Sequence, residues 1–178
     1  MQEQKQTGFF YDLKMSLFDA FSRVSDYQGR TSRRNFWFAY IVILLIQILP
    51  AVIIFFAILY NNASEDIASL LMSAASKTVP FQILAFLLYV VTLPLSVRRF
   101  HDTDRSGLLP ILSYSHTILT QLYTFIVYFT ESINQMVLTV QGYLNIPFGI
   151  LAIYVLVIFF FKGTEGQNEY GFPSDVKS

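Results

Sequence analysis

The sequence predicts an all-α integral membrane protein: a four-helix bundle with an N-terminal amphipathic interfacial helix and a cytoplasmic cap of loops. Three observations carry that reading. Four stretches, 36–60, 79–97, 108–130 and 136–161, are apolar and contain no carboxylate; each comes close to or exceeds the ~20 residues needed to cross a ~30 Å hydrocarbon core. Of the 178 residues 54% are apolar and 13% charged, with a mean hydropathy of +0.49, which takes the chain out of the soluble class. The basic residues are lopsided: of 12 Lys and Arg, six precede the first stretch, three lie between the second and third, two follow the fourth, and only Lys77 lies elsewhere.

Cytoplasmic loops are enriched in Lys and Arg. Both tails and the 98–107 loop are therefore expected inside, with 61–78 and 131–135 outside. The chain divides into a cytoplasmic N-terminal segment (1–35), a transmembrane domain (36–161) and a cytoplasmic tail (162–178), expected in a bacterial inner membrane. Met1–Thr7 is polar and residues 9–34 carry five basic groups, so the first span itself is expected to act as the insertion signal. Zero net charge gives no global attraction to nucleic acid. The absence of cysteine excludes disulfides, thiolate metal sites and thiol nucleophiles.

Residues 9–24 place Phe10, Leu13, Leu17, Phe18, Phe21 and Val24 at near-helical spacing, with Asp12, Lys14, Asp19 and Arg23 among the polar remainder. This is either a helix lying on the membrane surface or a packing helix of a cytoplasmic cap. Gly29 permits a turn, Ser32 is placed to cap the first span, and Phe36 and Trp37 suit the interface. Pro50 is expected to kink that span. Outside, Ser64 is placed to cap a short interfacial helix that has Glu65 and Asp66 in its first turn and ends at Lys77. The second span runs from 79 to 97, with Gln82, Ala85, Tyr89, Thr92 and Ser96 on one side. On the third, Ser113, His116, Thr117, Thr120, Gln121 and Thr124 fall within about 140° of a helical wheel. The fourth carries Gln141, Asn145 and Gly149 at i, i+4 and i+8. After Phe161, turn formers predict ordered loop.

These intramembrane polar residues have two readings. Helices in lipid associate through small residues and interhelical hydrogen bonds, so the polar sides are the expected seam of a bundle. Alternatively, they line a cavity or permeation path in a small oligomeric transporter or channel, with His116 as the titratable group. The basic clusters also divide. Arg30, Arg33 and Arg34 precede the first span; Arg98, Arg99 and Arg105 follow the second, in a loop with His101 and Asp102. Topology explains positive charge there, but not why all six are Arg when the chain has seven Arg and five Lys. Arginine is favoured where a planar fork grips a carboxylate or phosphate, and two nearby aspartates, Asp102 and Asp104, cannot neutralise six arginines. The cluster is therefore expected to bind anionic lipid headgroups, an anionic ligand or a partner protein. With only His101 and His116, the chain has no metal-ligand spacing, and no nucleophile–base–orienter set is evident. No catalytic residue, metal or cofactor is expected. The expected partners are the lipid bilayer, an anionic phospholipid, and a second copy or another membrane protein.

Three cytoplasmic segments together resemble a known family. They are Gly29-Arg30-Thr31-Ser32-Arg33 with Phe36-Trp37; Arg98-Arg99-Phe100-His101-Asp102 with Arg105-Ser106-Gly107; and Lys162-Gly163-Thr164 with Gly166, Asn168, Tyr170-Gly171 and Pro173. The chain resembles, over roughly residues 14–175, the bacterial inner-membrane family catalogued as domain of unknown function 805 (DUF805). The resemblance implies a small multi-span protein, with no catalytic residues to carry over. Asn35 stands where the family commonly has an acidic residue, Asp104 where it has glycine, and Leu108 where it has an aromatic. The first change removes a partner for the arginines and the second adds one. The three blocks are expected to form one cap, in which Asp102, Asn168 and Tyr170 supply charge and hydrogen bonds to the arginines.

Overall fold

A computed structural model describes residues 8–61, 67–130 and 135–173, and these are helical and loop segments without a strand. The five helices are α1 (Phe9–Ser22), α2 (Arg33–Asn61), α3 (Ile67–Asp102), α4 (Leu108–Thr130) and α5 (Gln135–Phe160). Three are long and apolar enough to cross a membrane, over Arg33–Ile54, Gln82–Asp102 and Gln135–Phe160. α4 has the predicted bounds and, at 1.5 Å per residue, a length of about 35 Å. It is not one of the three candidates, because the polar residues noted above lower its hydropathy.

α2 starts where its capping residue predicts. The Asn35 N–H donates to Ser32 Oγ (3.5 Å), which satisfies one of the orphan donors of the first turn, and the Ser32 carbonyl accepts the first intrahelical bond, from the Phe36 N–H (2.9 Å). The helix continues through Pro50. The outer connection differs from expectation: instead of a short helix ending at Lys77, α3 runs unbroken for 36 residues. Ile67–Lys77 contains no glycine or proline and is rich in good helix formers. Pro80 forfeits one backbone hydrogen bond without ending the helix. Ser64, Glu65 and Asp66 lie outside the described residues.

The buried core sits at one end of the bundle. Phe36, Ala39 and Ile43 of α2 meet Leu95 and Phe100 of α3 and Val155, Ile158 and Phe159 of α5, with Ala20 of α1 closing the base. Phe36 holds this end together, its ring 4.4 Å from Phe159 and 5.0 Å from Tyr40. Away from that end, α2 and α5 turn Leu, Ile and Val outward, the surface expected of helices solvated by lipid.

α1 packs on α2 and α3 with Ser16 and Ala20 inward, while Phe10 and Phe18 on its other side are 82% and 66% exposed. It is thus both a packing helix and an amphipathic one. Deeper in the bundle the polar sides of α3 and α4 face each other: Gln121 donates to Gln82 (3.1 Å), and the Tyr114 hydroxyl is hydrogen bonded to Ser96 (3.1 Å).

Candidate functional site

The N-terminal turn, the α3–α4 loop and the segment after α5 converge at the core end. Gly29 adopts φ +76°, the left-handed region glycine favours, and turns the chain so that the Thr31 N–H donates to the Arg98 carbonyl (3.1 Å). Three arginines are buried here, Arg30 from the turn and Arg98 and Arg99 from the end of α3, which runs as helix to Asp102 where the sequence predicted loop from 98 on, and each is wired differently.

Arg30 makes an ion pair with Asp102 (3.0 Å) and donates to the carbonyls of Gly166 (2.7 Å) and Thr164 (2.6 Å). Arg98 plugs the turn after α1. It donates to Thr31 Oγ1 (3.1 Å) and to the carbonyls of Arg23 and Asp26 (2.9 Å each), and pairs with Asp19 (3.4 Å). Arg99 pairs with Asp102 and donates to the carbonyls of Phe159 and Phe161. With Arg33 reaching the Phe160 carbonyl (3.4 Å), the last carbonyls of α5 are capped by guanidinium groups, which suits the negative end of the helix dipole.

Asp102 is the hub. Its carboxylate serves two guanidinium groups, and its backbone carbonyl accepts the Thr164 N–H (2.8 Å). The tail approaches so closely that a side chain at Gly163 would overlap the Asp102 carboxylate. Asn168 clamps the tail, donating to the His101 carbonyl (2.8 Å) and to Thr164 Oγ1 (3.0 Å) and accepting from the Tyr170 N–H (2.9 Å). The Tyr170 ring stacks on His101 at 3.8 Å, and His101 Nδ1 donates to the Gly29 carbonyl (3.2 Å).

The structure therefore brings Arg30, Arg98, Arg99, His101, Asp102, Asn168 and Tyr170 together, but as the interior of the cap. Arg33 and Arg34 remain exposed, Arg34 paired with Asp12 and lying over the Phe38 ring, while Arg105 lies over the Phe161 ring. Asp104 is not the added arginine partner expected of it. It is exposed at the loop tip with φ +57° and makes no ion pair among the described residues. That backbone conformation is one in which a glycine costs nothing, and aspartate is among the residues that tolerate it. Asn35 instead accepts from Ser16 at the α1–α2 contact (3.5 Å).

Sequence reasoning missed Asp12, Asp19 and Asp26. The signal was their seven-residue spacing, which keeps Asp12 and Asp19 on one side of α1. Burial opposes the charge of Asp26, but its hydrogen bond from Arg23 and that from the Gln28 N–H outweigh this and hold its carboxyl below the ordinary value.

The polar residues of α4 and α5 are distributed. Thr117 and Thr124 donate back to the carbonyls of Ser113 and Thr120, and His116 stacks on Phe148 of α5 (4.1 Å). With Thr120 and Gln141, His116 lines an α4–α5 groove of about 300 Å³. Asn145 is exposed on α5 and is not brought into the seam. In the cap, an open pocket of about 460 Å³ is lined by Arg33, Arg34, Lys162, Thr164 and Glu165, with Arg30 and Asp102 also on its wall.

A family model described as "Protein of unknown function (DUF805)" matches residues 24–172. No curated protein and no solved structure matches the chain.

Proposed function

The chain belongs to the DUF805 family, and on that premise we propose that it is a non-enzymatic, four-span protein of the bacterial inner membrane whose cytoplasmic cap binds anions. The fourth span is α4. The C-terminal ends of α3 and α5 are hydrogen bonded into the same cap through Arg99 and Phe159, so if both helices cross, α4 must carry the chain back between them. Its length is sufficient, and part of its polarity is directed at α3. The exposed Phe10 and Phe18 of α1 suit an interfacial position beside the start of α2, where Phe9 meets Phe38 at 5.4 Å. The arginine asymmetry supports a cytoplasmic cap with both tails inside.

The observation that carries the anion-binding reading is the division of labour among the cations. Arg30, Arg98 and Arg99 are consumed internally, whereas Arg33, Arg34 and Lys162 stand exposed around one open pocket. Juxtamembrane basic groups each contribute roughly 1 kcal/mol toward an anionic surface. Reconstitution into vesicles with and without phosphatidylglycerol tests the reading. Headgroup-dependent retention without solute flux is expected; flux through the protein, or indifference to the headgroup, would reject it in favour of a transporter or a purely structural cap.

A further inference from the structure

We propose that the cap pocket is a subsite for the phosphate group of an anionic membrane lipid, one whose headgroup has no cation of its own, with Glu165 as the carboxylate that the phosphate displaces; this rests on the anion-binding reading above. Four cationic side chains, Arg30, Arg33, Arg34 and Lys162, line the pocket against two carboxylates, Asp102 and Glu165. The Arg30–Asp102 pair is buried, with its carboxylate shared by Arg99, and serves as a fixed wall. The working groups are Arg33 and Lys162. Arg33 is exposed, and among the described residues it makes one long hydrogen bond, to the Phe160 carbonyl. Lys162 is 77% exposed and, among the described residues, engaged with Glu165 alone, at 2.6 Å, and Glu165 is 84% exposed. Such a surface pair is weak and exchangeable, whereas a phosphate can accept from an ammonium and a guanidinium at once. Ser32 and Thr164 add hydroxyl groups to the same walls.

The surroundings point to a lipid-borne phosphate. Trp37 lies one helical turn from Arg33, its ring 4.5 Å from Phe160, and Phe160 and Phe161 are exposed immediately before Lys162. Aromatic rings of this kind settle at headgroup level, so the pocket opens where lipid phosphates lie.

The test compares retention of phosphatidylglycerol and phosphatidylcholine by the full chain, using native mass spectrometry from gentle detergent. Wild type should prefer phosphatidylglycerol. The double variant R33Q/K162Q should lose about thirtyfold in that affinity, the factor for removing two juxtamembrane cations. Glu165→Gln should bind severalfold more tightly, and excess inorganic phosphate should not compete. Both substituted groups are exposed, so an unchanged melting temperature certifies folding. If wild type discriminates and R33Q/K162Q discriminates equally, the pocket assignment falls while the anion-binding reading stands. Competition by inorganic phosphate at lipid-like potency overturns the lipid source in favour of a free anion. Equal retention of both lipids by wild type sinks the parent reading itself.

Discussion

Replacing Asp102 with asparagine removes the charge on which the cap converges and leaves its shape almost unchanged. The Asp102 carboxylate pairs with Arg30 at 3.0 Å and also with Arg99, and the three side chains are 6%, 1% and 0% exposed. In D102N two almost fully buried guanidinium groups lose their shared counter-charge. Removing one partner from a buried pair costs about 3–5 kcal/mol. That is a large fraction of the ~5–15 kcal/mol by which folded proteins are stable. At roughly 2–4 °C per kcal/mol for a chain of this size, the melting temperature should fall by about 6–20 °C. Thermal unfolding in detergent, followed by fluorescence, measures this directly. Trp37 is the only tryptophan, and its ring lies 4.5 Å from Phe160, at the cap end of α5. Lys162→Gln is the control, because its ion pair is exposed and contributes little. A D102N melting temperature within about 2 °C of wild type would refute the claim that this buried pairing holds the cap.

Gly163→Ala should destabilise to a similar degree, since the new methyl must displace a carboxylate that two arginines hold in place; the same melting assay reads it. Acid should weaken the turn after α1. The Asp26 carboxyl lies below its ordinary 3.8 when folded, so its contribution is whole above that value and is lost as pH falls through the folded one. Wild type should therefore melt above Asp26→Asn at neutral pH, and their curves should draw together only as pH falls below the ordinary 3.8. Accessibility tags at 131–134 and at Asp104 should report opposite sides of the membrane, with Asp104 cytoplasmic. Labelling of both from one side would refute the crossing of α4.

Much of the architecture was legible because it follows from local patterns. The bounds of α4, the Ser32 cap and the facing polar sides of α3 and α4 rest on spacing and capping chemistry alone. The fate of the arginines was not legible. Arg30 and Arg99 donate to backbone carbonyls of residues 159–171, and Arg98 to those of Arg23 and Asp26; such partners leave no trace in side-chain identity. Sequence counting set six arginines against two aspartates and expected a surplus. The structure settles Arg98 with two carbonyls and a threonine, besides a long ion pair to Asp19. The continuity of α3 was hidden for a related reason: Pro80 and Lys77 look like punctuation, yet one lost hydrogen bond does not end a helix. The weak hydropathy of α4 reflects residues such as Gln121, whose amide is answered by a partner on another helix.

The carbonyls that receive Arg30 and Arg99 belong to residues 159–171, which leave the ribosome after both arginines have been made. In the proposed orientation those guanidinium groups are still hydrated while α2 and α3 enter the bilayer, and able to hold their flanks on the side of synthesis. They lose their water only once α5 has been threaded and its tail delivered. On that topology the same side chains serve twice in one lifetime, first as an address read during translation and later as the clasp that seals it.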